Sequence, residues 1–250
     1  MRSSARVHLL AALLVATVLA AACGGVMKRD YEYEEELYLA LDGSAALNVN
    51  ASVPAMVALH GLDWSVDPRA RLDRTAVRRA FEAPGLEVAR VTVSRRHGRR
   101  FVHVGLTATD VSSLASAAPL AWSTYRFDRA AVPFRFEQTI GRATGKPVGD
   151  VGWSGDEVVA FRMHLPSEIP FHNSPGTIRR GNILEWEQPL TERLQSTPID
   201  IQVNLAPTSI LSETLLLFAS TVLAAAMVFA LAIWWIARRG READVVAPPT

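Results

Sequence analysis

The chain has 250 residues, of which 49% are hydrophobic and 20% are charged, with 26 Lys+Arg against 25 Asp+Glu. This composition excludes a disordered or low-complexity chain. The formal net charge of +1 argues against a strongly basic nucleic-acid binder. The single cysteine excludes both a disulfide framework and a cysteine-cluster zinc site.

The N-terminus, residues 1–22, is predicted to be an export signal. Arg2 and Arg6 form its positive region, and residues 7–22 form an uncharged stretch of 16 residues. A membrane span needs about 20 residues, so this shorter stretch is typical of a signal-peptide core.

The export signal ends in Ala20-Ala21-Ala22, directly before Cys23. Small residues before a cysteine resemble the bacterial lipoprotein signal, although Ala20 stands where that pattern usually has leucine. The resemblance predicts that Cys23 is lipidated. Two alternatives remain: ordinary cleavage after the alanines with Cys23 incidental, or an uncleaved anchor.

The first predicted element of the exported domain is a hairpin. Large apolar side chains fall on one parity, with Glu35 as the exception, at Tyr31, Tyr33, Leu37, Leu39 and Leu41. This period of two predicts a half-buried strand. Asp42-Gly43 predicts a tight turn with both central residues at positive φ, and residues 45–53 form the return strand.

The following segments predict short helices and more strands. Residues 54–59 begin a helix, Asp73 caps a second helix that extends to Ala83, and Asp110 or Ser112 caps a third before Pro119. A second hairpin has its tip at residues 95–100. Further strands are predicted at residues 121–127, 132–139, 157–165, 182–188 and 199–205.

These elements predict an α+β domain over residues 23–213. Hairpins dominate and strands do not alternate regularly with helices, so a doubly wound parallel sheet is disfavoured. We expect an antiparallel, curved and barrel-like sheet with short helices on one face.

The C-terminal region is predicted to span a membrane. Residues 214–237 carry no charge and would form a helix of about 36 Å, enough to cross a hydrocarbon core of about 30 Å. Trp234 and Trp235 end this stretch, and Arg238, Arg239 and Arg241 follow. The positive-inside rule places the short tail, residues 238–250, in the cytoplasm and the domain outside.

Four cations concentrate at the tip of the second hairpin: Arg95, Arg96, Arg99 and Arg100. Guanidinium groups bind phosphates through paired hydrogen bonds, which makes this tip a candidate contact for anionic headgroups. The alternative is a solvated hairpin end, and in either case we expect the tip to bury almost nothing.

No recognisable catalytic or metal motif accompanies this tip. The histidines at 60, 97, 103, 164 and 172 show no helical metal-binding spacing, although His164 and His172 flank a proline-rich loop that could bring them together. Asp156 and Glu157, together with Asp150, could be imagined as paired carboxylates for acid–base chemistry, but a polar glycine-rich loop that leads into a strand explains them as well. We expect no metal, no cofactor and no enzymatic activity.

Two short patches, Asp42-Gly43-Ser44 before an early strand and residues 181–186 at the start of a late one, accompany the signal, domain and terminal span. In this plan the chain resembles the mycobacterial LppM-like family of membrane-anchored lipoproteins. The resemblance implies an α+β, barrel-like domain that holds envelope lipids or glycolipids, and it identifies no functional residues.

The sequence therefore predicts a bacterial cell-envelope protein, tethered to the cytoplasmic membrane, that binds membrane lipids, a glycolipid or a partner protein. One alternative is an accessory or structural subunit of a membrane protein complex. A second is a hydrolase with an unrecognised site. Nucleic acid is not an expected partner.

Overall fold

A computed structural model describes the chain from Asp30 to Asp244. The predicted export signal, residues 1–22, and the predicted lipidation site Cys23 lie outside the described residues. The end of the tail, residues 245–250, also lies outside them.

Ten strands and four α-helices make up the described chain. The strands are β1 Tyr31–Leu39, β2 Ala45–Ser52, β3 Leu86–Arg96, β4 Arg99–Ala108, β5 Ser123–Asp128, β6 Phe134–Ile140, β7 Val158–His164, β8 Phe171–His172, β9 Ile183–Pro189 and β10 Ile199–Leu205. The helices are α1 Val53–His60, α2 Arg74–Phe81, α3 Leu190–Leu194 and α4 Ile210–Asp244, with 3-10 turns at Val111–Ser116 and Ala118–Leu120. The α+β class is confirmed.

The strands form two sheets, where the sequence predicted one curved sheet. A six-stranded sheet has the order β3-β4-β2-β1-β7-β9, and a four-stranded sheet has the order β5-β6-β10-β8. Every pairing is antiparallel except that of β1 with β7, which is parallel from Tyr31↔Val158 to Tyr38↔His164. The prediction missed this pairing because β1 and β7 are far apart in sequence.

The first hairpin has the predicted strands and a different turn. β1 pairs with β2 in the register Leu37↔Leu47. The Gly43 amide donates to the Ala40 carbonyl at 3.1 Å, and Gly43 has a φ of 91°. Asp42 does not adopt positive φ, so the expectation for both central residues was wrong: the longer turn needs one left-handed residue, and glycine supplies it without strain.

The hydrophobic core lies between the two sheets and includes α1. Helix α1 is buried from Val53 to Leu59, whereas α2 buries only Val77 and Phe81. Apolar residues occupy nearly all of α1, so it packs inside, while α2 has one apolar stripe and lies on the surface. The Asp73 carboxylate accepts the Thr75 amide at 2.9 Å and caps α2 as predicted.

The six-stranded sheet has two distinct ends. We call the end with the β3–β4 turn and the start of β1 the tip end. The other is the helix end, where β1 and β7 finish and the chain continues to α4. There the Ala206 amide donates to the Glu168 carbonyl at 2.9 Å, and the Ile210 amide donates to the Pro166 carbonyl at 3.1 Å.

Helix α4 has 35 residues, and its apolar stretch is Thr214–Ile236 with a mean hydropathy of 2.5. The helix is long and apolar enough to cross a membrane. None of its most apolar part is buried inside the protein, whereas a core helix of a soluble domain would be covered. The predicted span, residues 214–237, agrees with this stretch to one residue.

Candidate functional site: an arginine-lined groove

The four arginines of the predicted tip lie in different environments. Arg95 is exposed and Arg96 is half-buried, whereas Arg99 and Arg100 are only 6% and 3% exposed. The expectation that the tip buries almost nothing was therefore wrong. The start of β1 covers Arg99, whereas Arg100 donates to the Ser65 carbonyl in the segment before α2.

Arg99 is held by fixed partners on several sides. Its Nε donates to Glu32 Oε1 at 3.0 Å, and its Nη2 lies 2.9 Å from Asp30 Oδ2. Its Nη1 donates to the Gly152 carbonyl at 2.7 Å. Glu32 is fully buried and also accepts Trp153 Nε1 at 3.0 Å. Arg99 therefore neutralises a buried carboxylate and joins the hairpin to β1.

Arg96 also serves the structure. It donates to the Tyr31 carbonyl and lies 3.4 Å from Asp30 Oδ1. Its guanidinium is 4.3 Å from the centre of the Phe101 ring, which places it for a cation–π contact.

Arg95 and Arg100 line a groove together with two arginines from the segment that leads into α2. The groove has a volume of about 830 Å³, and its arginines are Arg71, Arg74, Arg95 and Arg100. Leu72 and Val93 add apolar surface to its lining. Arg71 and Arg74 were not predicted as site residues, because more than 20 residues separate them from the hairpin tip.

The strand register places Arg95 directly opposite Arg100. Two like charges at facing positions of an antiparallel pair destabilise the sheet. A bound anion would relieve this repulsion.

The Arg100 side chain has hydrogen-bonding capacity that the described residues do not use. Its Nη2 donates to the Ser65 carbonyl, but its Nε and Nη1 are buried without a hydrogen-bond partner. Burial lowers the pKa of Arg100, and the nearby charge of Arg95 lowers it further, while Asp67 acts in the opposite direction. A guanidinium remains protonated in proteins, so the groove keeps a buried cation with two free donors.

The groove also contains one carboxylate. Asp73 lines it and caps α2 through the Thr75 amide. Four cations against one anion leave the groove strongly positive, and this arrangement favours a phosphate oxyanion such as a phosphate monoester or diester.

The groove lies near the tip end, away from α4. Strand β3 has 11 residues from Leu86 to Arg96, and a rise of about 3.3 Å per residue gives a length of about 33 Å. The arginines at 95 and 100 are thus separated from the start of α4 by about the length of a strand.

The histidines considered in the sequence are placed separately. His164 and His172 lie in different sheets, on β7 and β8. His103 contacts Asn50 at 2.9 Å, and His164 lies 2.8 Å from Glu36 Oε1. In the described part of the chain, no group of three His, Cys, Asp or Glu residues is placed to hold a metal ion.

The carboxylates considered for acid–base chemistry organise their own loop. Glu157 is buried and accepts the amides of Ser154 and Gly155 at 2.6 and 2.8 Å. Asp150 accepts the Gly152 amide at 3.0 Å. These contacts agree with the interpretation of the segment as a polar loop that leads into a strand.

A second buried carboxylate, Glu35, lies in the core midway along β1. It accepts Tyr33 Oη at 2.6 Å, Tyr125 Oη at 3.0 Å, and the side-chain nitrogens of Trp122 and Gln138 at 3.4 Å. Burial raises the pKa of Glu35, and these four neutral donors act in the opposite direction. The break in the alternation of β1 was the sequence signal for this residue.

His60 lies beside this cluster. Its ring is 4.5 Å from that of Trp122 and 5.1 Å from that of Tyr33, measured between centroids. Burial, followed by the nearby charge of Arg193, lowers the pKa of His60 to about 3. His60 is therefore neutral at physiological pH.

No protein-family model matches the chain, and the comparison with curated proteins finds no match. The NMR structure of the Mycobacterium tuberculosis LppM protein folded domain is similar over 73% of this chain and 95% of that domain, with 11% identity and a TM-score of 0.38. This is a distant structural similarity. The proposals below rest on the residues of this chain.

Proposed function

We propose that the chain is a non-enzymatic cell-envelope protein, anchored in the cytoplasmic membrane by α4, whose exported domain binds the anionic headgroup of a lipid or glycolipid. The observation that carries this proposal is the groove in which Arg95 faces Arg100. There, Arg100 keeps two buried donors without a partner.

The chemistry of the groove favours a phosphate-bearing headgroup. A guanidinium presents two parallel N–H donors that match two phosphate oxygens. The groove volume of about 830 Å³ lies within the range of small-molecule sites, about 300–1,000 Å³. Leu72 and Val93 provide apolar contact for the part of the ligand next to the headgroup.

The orientation of the chain is part of the proposal. The export signal and the arginines that follow Trp235 favour an exported domain and a cytoplasmic tail.

The experiment uses the full chain in nanodiscs of neutral phosphatidylcholine. Vesicles of phosphatidylcholine, with or without phosphatidylglycerol, are added at low salt, and binding is measured by co-flotation. Glycerol phosphate, added as a competitor, reports whether the headgroup alone occupies the groove. We expect a preference for anionic vesicles that weakens with salt, because exposed charges are screened over about 8 Å at physiological ionic strength.

The test variant replaces the three exposed groove arginines with serine: Arg71→Ser, Arg74→Ser and Arg95→Ser. Its matched control removes three exposed arginines elsewhere, at Arg126, Arg135 and Arg142. The groove variant should lose several-fold in anionic binding and the control should lose little. Equal losses in the two variants would show that the groove arginines act only through general charge. A wild-type protein without a preference for anionic vesicles would overturn the proposal.

A further inference from the structure

Large exposed hydrophobic side chains are few in the described part of the domain, residues 30–209. Four are exposed by 40% or more: Tyr38 at 40%, Val132 at 78%, Phe171 at 48% and Ile178 at 40%. Single exposed apolar residues are common on protein surfaces, but these four are not scattered over this surface.

Two of the four lie at or next to the ends of strands at the helix end. Tyr38 is the second-last residue of β1 and pairs with His164, the last residue of β7. Its ring stacks on the His164 ring with 4.1 Å between centroids. Phe171 pairs with Asn204 next to the finish of β10.

The other two lie in loops at this end. Val132 is in the β5–β6 turn, two residues before Phe134, which pairs with Leu205 at the finish of β10. Ile178 precedes Arg179, which forms a β-bridge with Ile183 at the start of β9. All four residues therefore lie at the end from which the chain continues to α4.

The chain leaves this end directly into the apolar helix. The Ile210 amide is hydrogen-bonded to the Pro166 carbonyl at 3.1 Å, which ties the first residue of α4 to the domain. The apolar stretch begins at Thr214, four residues later, or about 6 Å along a helix. This end of the domain therefore lies within a few ångströms of the start of the apolar stretch.

We infer that Tyr38, Val132, Phe171 and Ile178 form a membrane-contacting rim, which inserts into the headgroup layer of the bilayer that α4 crosses. The inference rests on the membrane anchoring in the proposed function. Aromatic and aliphatic side chains next to a span are stabilised at this boundary, where their apolar parts leave water.

Charge does not select the lipid at this end. Exposed cations include Arg129, Arg179 and Arg180, and exposed anions include Asp42 and Glu168. Because both signs are present, the rim fits a lipid surface by its apolar side chains and should contact neutral bilayers as well as anionic ones.

The rim also determines which lipids can reach the arginine groove. With the rim on the bilayer and the strands upright, the arginines at 95 and 100 would lie about one strand length above it, roughly 33 Å. A headgroup in the groove would then belong to a lipid or glycolipid outside the anchoring bilayer.

The rim is tested in the full chain, reconstituted into phosphatidylcholine nanodiscs, with Cys23→Ser and one new cysteine at a time. The rim positions are Val132→Cys, Phe171→Cys and Ile178→Cys. The control for the tip end is His97→Cys, and the control for the span is Phe229→Cys. Each cysteine carries an environment-sensitive fluorophore, and lipids with a nitroxide on the headgroup quench it by contact.

We expect quenching at the three rim positions to be at least threefold stronger than at His97. Rim labels as weakly quenched as His97, with Phe229 labels quenched by acyl-chain nitroxides, would overturn the rim and leave the anchoring in place. Phe229 labels that no lipid nitroxide quenches would overturn both. Val132 is 78% exposed, so its substitution disturbs the fold least. If the three rim positions give different results, the result at Val132 is the decisive one.

Discussion

The tip end and the helix end of the domain differ in what they present to solvent. The tip end gathers arginines and carboxylates, and some of these are buried, as Arg99 and Glu32 are. The helix end instead exposes large apolar side chains such as Val132 and Phe171. One end is therefore suited to an anion and the other to a lipid surface.

This difference shows that arginines within one short segment have different roles. Arg99 completes a buried ion pair and belongs to the fold. Arg100 has spare donors and belongs to the groove. The predictions below test this division, beginning with the largest effect.

Arg99→Ala should lower the free energy of unfolding by about 3–5 kcal/mol, because it leaves Glu32 buried without its cation. Urea denaturation of the full chain in neutral detergent, followed by tryptophan fluorescence, measures this. The matched control Arg95→Ala should leave stability unchanged or raise it by up to about 1 kcal/mol, because this side chain is exposed and its charge faces that of Arg100. Similar losses for both variants would contradict the division.

Glu35→Gln tests the comparison between the two buried carboxylates. Glu32 at the tip end has a cation partner, Arg99, whereas Glu35 accepts hydrogen bonds from neutral donors. The folded-state pKa of Glu35 lies above its ordinary value of 4.5, so the folded state binds this proton more tightly than the unfolded state. The stability that this proton confers is complete below pH 4.5 and is lost as pH rises through the folded-state pKa, by about 1.4 kcal/mol per pKa unit.

The measurement is the difference in unfolding free energy between Glu35→Gln and wild type across pH 4–8. We expect the variant to gain relative stability as pH rises above about 4.5, since glutamine does not titrate. Taking the difference cancels groups common to both proteins, including His60. A difference that is flat with pH would show that Glu35 has an ordinary pKa.

Asp73→Asn should strengthen anion binding in the groove. Asparagine caps helices about as well as aspartate, so the stability of α2 is retained while the groove loses its carboxylate. A charge near an anionic surface contributes about 1 kcal/mol, which corresponds to a gain of up to about fivefold. Vesicle co-flotation checks the gain, and unchanged or weaker binding would place the ligand elsewhere.

Val132→Ser should have the smallest effect on the fold, within about 0.5 kcal/mol, because the side chain is 78% exposed. Phe136→Ser is the contrasting variant from β6, since Phe136 is fully buried and should lose several kcal/mol. A large loss at Val132 would make it part of the core and remove it from the rim.

The sequence by itself determined the local elements. The alternation in β1 and β2, the cap at Asp73 and the uncharged stretch after residue 213 each depend on neighbours within one helix or strand. Periodicity, capping chemistry and length are properties of such short segments. For this reason the predicted strands at residues 157–165 and 199–205 match β7 and β10 closely.

The tertiary structure decided which segments meet, and with that both candidate sites. Sequence patterns did not predict the parallel pairing of β1 with β7, the division into two sheets, or the burial of Arg99 against Glu32. The groove joins arginines at 71 and 74 to those at 95 and 100, and the rim joins residues 38, 132, 171 and 178. Contacts between residues this far apart depend on how whole elements pack and on where charges find partners, which no short stretch of this sequence encodes.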